Sequence, residues 1–230
     1  MGHSVKLVAH GPNLLVNHDH HGPRTIEHDG RIWYRFMDRL YVRTPPAEME
    51  PDLVQEVCEL RLLERNRVLD QSLHKAVQVA MLDLVRDLGI APERILDFGT
   101  GSGESLETLK ALTPRVLGCD MSAKTLISSR RSNTIAVKPE GPLPFTTGAF
   151  DLVHALFVMH FKIPATMLRE LRRCSTSDGF LVANCYGGGV EPYRENMRGA
   201  GWSLAESRPV AGVVGHVVDV WRHTNTKQEL

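Results

Sequence analysis

The chain has 230 residues, 42% of them apolar and 23% charged, enough for one full domain with a sizeable core plus an appended piece. Basic and acidic residues balance at 27 each, which argues against a protein that grips nucleic acid through its phosphates. No apolar stretch reaches the length of a membrane span. The opening MGHSVKLVAHGPN lacks the apolar core of a signal peptide, and Lys6 stands where myristoylation wants Ser or Thr, so a cytoplasmic protein is expected.

Residues 1–46 are rich in His, Gly and Pro, with six of the eleven histidines in the first 28 positions. VKLVAHG and NLLVN read as short strands. RTIEHDGRIWYRF (24–36) reads as two extended runs around Asp29-Gly30, a hairpin signal. Pro45-Pro46 ends this region. EMEPDLVQEVCELRLLERNRVL places Leu53, Val57, Leu60 and Leu63 near the helical period. DQSLHKAVQVAMLDLVRDLG predicts a second helix, with Asp70 as N-cap and Gly89 as stop. From residue 93 the pattern alternates. RILDFG, RVLGCD, TIAVK, FDLVHALFV and GFLVANCY read as strands. Between them SGESLETLKALT, SAKTLISSRRS and PATMLRELRRC read as helices, and YRENMRGAGW follows as another. Strands alternating with helices predict an α/β fold with a parallel sheet buried on both faces. SLAESRPV and GHVVDVWRH, two strands in succession, predict an antiparallel end to that sheet. The expected division is an N-terminal extension over 1–92, a β-hairpin with helices, and a core over 93–230.

The loop ILDFGTGSGES carries the chemistry. A strand, a glycine-rich turn and a helix let the backbone approach a ligand closely. Gly99, Gly101 and Gly103 are spaced two apart, and Glu104 stands where a dinucleotide fold wants its third glycine. The Gly-Lys-Ser/Thr of a Walker phosphate loop is also absent. Asp97, just before the turn, repels phosphate and suits an ammonium group. Asp120 ends the next strand and can accept both hydroxyls of a ribose; it can also serve as helix N-cap before SAKTL. A ribose, an amino group and no phosphate describe S-adenosylmethionine (SAM).

ILDFGTGSGES resembles motif I of the class I SAM-dependent methyltransferases, and VLGCDMS resembles the acidic element that follows it. GPLPFTTGAFDLVHALFVMHF is similar to the third and fourth strand region of small-molecule methyltransferases. MLRELRRCSTSDGFLVANC resembles the helix and fifth strand. The resemblance spans residues 93–222, with departures at Ser177-Asp178, where Pro-Gly is usual, and at Pro139-Glu140. It implies a Rossmann-like sheet of seven strands, mostly parallel, with helices on both faces and the last strand inserted antiparallel. It also implies SAM as cofactor. The backbone around Gly99, Gly101 and Gly103 would hold it, with Asp120 on the ribose and Met121 against the adenine. Asp97 would orient the methionine end, Glu140 would meet the adenine amino group, and the carbonyls of Ala155 and Leu156 would approach the sulfonium arm.

His160, just past the fourth strand, is the candidate general base for a substrate hydroxyl or amine, against the reading of a wall residue. His154 reads as packing within the strand. Tyr186 and Asn184, at the end of the fifth strand, are candidates to face substrate. In RIWYRF the aromatic residues read as a lid, Trp33 or Tyr34 covering cofactor or substrate, rather than as a base-stacking strand. NHDHHG (17–22) fits no known zinc spacing, and no metal is expected. The four cysteines, Cys58, Cys119, Cys174 and Cys185, form no CxxC pair and read as buried reduced thiols. The chain thus reads as a methyltransferase acting on oxygen or nitrogen of a small molecule, a secondary metabolite by elimination. The alternatives are a non-methylating SAM enzyme, catalysing cyclisation or decarboxylation, and a non-catalytic regulatory partner. No nucleic acid or membrane partner is expected, and short strands that close no sheet alone make a homodimer through the N-terminal region one reading of residues 1–60.

Overall fold

The computed structural model describes residues 7–18, 22–36, 39–63 and 71–224. By packing, the chain divides into two units, Met1–His74 and Lys75–Leu230.

In the first unit β1 (Leu7–His10), β2 (Leu14–Asn17), β3 (Thr25–His28), β4 (Arg31–Arg35) and β5 (Leu40–Val42) form one antiparallel sheet in the order β1-β2-β5-β4-β3. The β3–β4 hairpin turns on Asp29 and Gly30, with φ of 53° and 68°. Two positive φ values are what a two-residue loop needs to match the strand twist. The central strand β5 has no counterpart in the sequence reading. Three residues are too short to show a period, yet Leu40, Tyr41 and Val42 are wholly buried. Leu15, Trp33 and Tyr41 make a small core, with Leu7 and Ile26 against it. The Tyr41 hydroxyl donates to the Pro23 carbonyl at 2.9 Å, and Arg35 donates to the Gly22 carbonyl at 2.6 Å. Helix α1 (Pro51–Leu63) opens on a proline, whose missing N–H is no loss at that position. It buries Val54, Val57 and Leu60, and its Glu56 accepts from Asn13 at 3.2 Å.

The second unit begins in α2 (Gln71–Asp87), whose Val77, Met81, Leu82, Leu84 and Val85 form a buried stripe. By packing, the division between the units falls after His74, within this helix. Gly89, at φ 66°, ends it: the Ile90 N–H reaches back to the Val85 carbonyl, a Schellman closure. Asp70 lies outside the described residues.

There follow β6 (Ile95–Phe98), α3 (Glu104–Leu109), β7 (Val116–Asp120), α4 (Ala123–Ser129), β8 (Thr134–Ala136), β9 (Phe150–Ala155), α5 (Ala165–Cys174), β10 (Ser175–Tyr186), α6 (Val190–Gly199), β11 (Trp202–Pro209) and β12 (His216–His223). The seven strands stand in the order β11-β12-β10-β9-β6-β7-β8. Strands β6 to β10 pair in parallel, and β12 lies antiparallel between β10 and β11. This is the expected seven-stranded Rossmann-like sheet with its last strand inserted. All four residues of β6 and nearly all of β9 are buried, as strands covered on both faces require. From β6 the chain runs outward through β7 and β8, then returns to the other side of β6 as β9. Such a reversal, at the carboxyl ends of β6 and β9, is where open α/β sheets form a ligand crevice.

Of the boundaries that differ from the sequence reading, two lie beside the carboxyl end of β9 or pair with that strand. Strand β9 stops at Ala155 because Phe157 takes φ 55°. Strand β10 starts at Ser175, absorbing Ser177-Asp178 as an irregularity in its pairing with β9. Among the described residues no helix is long and apolar enough to cross a membrane.

Arg194 of α6 donates to both carboxylate oxygens of Asp219 in β12, at 2.8 and 2.9 Å, and reaches Ser207 of β11 at 2.8 Å. Asp219 is wholly buried, and its carboxylate holds the Arg194 guanidinium above its ordinary pKa. Removing the cation strands a buried charge. Arg194→Met should therefore lower the unfolding free energy by about 3 kcal/mol, read by urea denaturation. A change near zero would show the pair to be dispensable.

Candidate functional site

The crevice is built around the chain leaving β6. The N–H groups of Gly99 and Thr100 both donate to the Cys119 carbonyl of β7, at 2.8 and 3.0 Å. That path needs φ 73° at Gly99, and a Cβ there would come within 2.4 Å of Val158. Gly101 has φ 55° with open space where its Cβ would be. Its glycine serves the backbone, whose N–H donates to Asp120 Oδ2 at 2.9 Å. Gly103 precedes α3 as its N-cap and lies against the Arg131 stem. The loop is thus closed on the end of β7.

Asp120 is buried and faces this loop. Its Oδ1 accepts from the Ser122 N–H at 2.8 Å. The N-cap of α4 is Ser122, whose hydroxyl accepts from the Thr125 N–H, so the reading of Asp120 as the cap is corrected. Met121 follows, half-buried, and Glu140 is exposed in the segment beyond β8.

Asp97, buried in β6, uses both oxygens inward. Oδ1 lies 2.7 Å from His154 Nδ1, and Oδ2 accepts from the Thr100 hydroxyl at 2.6 Å. His154 is therefore a polar partner and not only packing. A signal for it existed: Asp97 and His154 are polar residues inside otherwise apolar parallel strands, and buried polar groups need partners. Cys119, between the two carboxylates, has its thiol pushed up by burial and then by Asp97 and Asp120. Of the four cysteines, all free, Cys58 is only half-buried.

On the β9 side, Ala155 ends the strand buried. The Phe157 N–H donates to Asn184 Oδ1 at 2.6 Å, so this buried asparagine holds the turn. Beyond the turn five rings gather among the described residues, with Phe161 lying 4.1 Å from His160. Tyr186 stacks on His216 at 4.8 Å, His160 lies 5.0 Å from Tyr186, and Phe157 lies 5.9 Å from His216. Burial, with His216 adding, pushes His160 down to about 3. Burial also lowers His216 and raises Tyr186. The cluster is uncharged at neutral pH, and a ring so weakly basic makes a poor general base.

Hydrogen bonds thus join Asp97, Asp120 and the glycine loop, while ring packing joins His160 and Tyr186. Tyr34 belongs to β4 of the first unit, half-buried beside the buried Trp33. Among the described residues no group of three His, Cys, Asp or Glu is placed to hold a metal. Asp19, His20 and His21 lie outside them.

Residues 96–183 match the methyltransferase-domain family. A malonyl-(acyl-carrier protein) O-methyltransferase of Legionella pneumophila is 33% identical over 122 residues, 49% of this chain and 43% of that protein. A demethylmenaquinone methyltransferase of Thermotoga maritima is 31% identical over 123 residues, 51% of this chain and 53% of that protein. The chain spans about half the length of the curated relatives it matches. The solved DhpI–SAH complex shares the fold, with a TM-score of 0.58 at 14% identity over 74% of this chain and 94% of that one.

The depressed His160 has a consequence for stability. Folded, the ring stays neutral down to about 3, whereas its ordinary value is 6.5. Between those values the unfolded chain binds more protons, so stability should fall as pH falls from 6.5 toward 3. His160→Phe should flatten that slope, read by urea unfolding at about pH 7.5 and about pH 5. An unchanged slope would mean the ring titrates normally.

Proposed function

We propose that the chain is a class I SAM-dependent methyltransferase that transfers a methyl group from SAM to an oxygen or nitrogen of a small molecule, a reading supported by the methyltransferase-domain match over residues 96–183. The observation that carries this reading is the glycine loop closed on Asp120 through the Gly101 N–H. The donor set fits the cofactor. Two buried carboxylates, Asp97 and Asp120, suit ribose hydroxyls and a cationic amino-acid end and repel phosphate.

In this reading the backbone of Gly99, Gly101 and Gly103 cradles the cofactor. Asp120 takes the ribose hydroxyls, since a carboxylate offers about four lone-pair directions and can serve loop and ligand together. Met121 lies against the adenine and Glu140 takes its amino group. Asp97 sets the methionine end through the loop, and the carbonyls of Ala155 and Leu156 face the sulfonium arm. Bound SAM supplies a methyl already activated on a sulfonium. The chain's own task is then to orient the acceptor in line and exclude water. His160, neutral, accepts a hydrogen bond from the acceptor's nucleophile, and Tyr186 lines the same pocket. The uncharged ring cluster favours an acceptor with a planar or apolar face over a charged one.

The two relatives are named for different acceptors, malonyl-(acyl-carrier protein) and demethylmenaquinone. What they share supports the cofactor side of the reading, and acceptor choice belongs to what differs. We assign that choice, or the pairing of two copies, to residues 1–92, Tyr34 included; the separate sheet and small core formed within residues 7–42 support this. A sizing column distinguishes one copy from two. Four free cysteines favour a cytoplasmic setting, and this reading implies helices on both faces of the seven-stranded sheet.

Calorimetric titration with SAM and with S-adenosylhomocysteine (SAH) tests the reading, and both should bind. Asp120→Ala should weaken binding by about 1–3 kcal/mol. Unchanged affinity in a folded variant would remove Asp120 from the site. His160→Ala should slow acceptor-dependent SAH formation while sparing SAM affinity. The product should be heavier than the acceptor by one CH2; a product of unchanged mass would refute methyl transfer.

A further inference from the structure

We infer that His154 is a positioning residue of the cofactor site, holding the Asp97 carboxylate so that Asp97 in turn holds the glycine loop. The inference rests on the SAM reading of that loop.

His154, Asp97 and Gly118 stand in one row across β9, β6 and β7. The row is wholly interior, and an aliphatic side chain would fill the His154 position without desolvating an imidazole. What the imidazole adds is its bond to Asp97. Nδ1 lies 2.7 Å from Asp97 Oδ1, while Nε2 makes no hydrogen bond among the described residues. The polar character of this ring is therefore directed at a single carboxylate.

From Asp97 the chain of contacts runs to the loop. Oδ2 accepts from the Thr100 hydroxyl at 2.6 Å. Thr100 follows Gly99, and both give their N–H groups to Cys119. The Thr100 side chain also lies over Gly118, where a Cβ would come within 2.8 Å of it. Its position is thus set by a donor bond on one side and by the absence of a side chain on the other. One residue on, Gly101 meets Asp120. Without the His154 donor the buried carboxylate loses half its solvation. It then turns toward another donor, and that turn releases the Thr100 hydroxyl. The loop then loses its side-chain tether to β6.

The variants separate this role from packing. His154→Leu keeps the volume and removes the donor. His154→Asn keeps an N–H near the Nδ1 position and loses ring volume. Packing alone predicts that Asn is the worse of the two; positioning predicts the reverse. SAH affinity by calorimetry should fall about tenfold or more in His154→Leu and stay within about threefold of wild type in His154→Asn. Thr100→Val, close in shape, reaches the same link from the loop side and should also weaken binding. The double variant His154→Leu/Thr100→Val should lose less than the two single losses combined, because both act through Asp97. Wild-type binding with His154→Leu unimpaired, or with Asn as impaired as Leu, overturns the inference alone. If His154→Leu does not fold, Thr100→Val binding as wild type does overturns it. A wild type that binds no SAH overturns the cofactor reading, and this inference with it.

Discussion

The Cys119 carbonyl and the Asp120 carboxylate, adjacent at the end of β7, dictate the path of the chain where β6 ends. Two successive N–H groups converge on the carbonyl, and the Gly101 N–H meets the carboxylate. Only a backbone with left-handed residues at Gly99 and Gly101 can make that path. The first of those glycines also clears room for Val158, which comes from beyond β9. One short loop therefore registers β6, β7 and the segment after β9 against each other, at the point where the strand order reverses.

The two sides of the crevice differ in electrostatic character. On the β6–β7 side the dominant groups are buried carboxylates held by N–H, hydroxyl and imidazole donors. On the β9–β10 side they are rings whose charged forms burial disfavours. A negative field beside a neutral wall matches a reaction in which a cation meets an uncharged nucleophile. In such a reaction the leaving group is already activated, so a weakly basic His160 is no obstacle. The burden falls on alignment, which rigid strand ends supply better than mobile loops.

Much of this architecture was legible because most of its strands and helices carry a local period or a local stop. Gly89 ends α2 as its position predicts, Asp29-Gly30 turns the hairpin, and the two closing strands pair antiparallel. What escaped was set by partners distant in sequence. β5 is three residues long and is a strand because β2 and β4 flank it. The end of β9 depends on Asn184, twenty-seven positions away, fixing the Phe157 N–H. Ser122 caps α4 because Asp120 is turned to the glycine loop, a choice no local spacing reveals. The glycine positions were readable and their reasons were not: Gly99 answers to Val158 and Gly101 to the backbone alone.

The buried polar residues of the large sheet follow one rule. Asp97 takes donors from His154 and Thr100, Asn184 fixes the turn after β9, and Asp219 receives Arg194 from α6. Each sits in a strand otherwise built to be apolar, and each ties that strand to another element of the unit. Buried polar pairs add little net stability over hydrophobic replacements, because desolvation offsets most of their attraction. What they add is uniqueness, since an apolar contact tolerates sliding and a short hydrogen bond does not. Asp97 and Asn184 lie at the carboxyl ends of β6 and β10, where the crevice opens, and Asp219 secures the inserted strand that backs it. Polar atoms inside this sheet are thus concentrated where the geometry of the site has least freedom to vary.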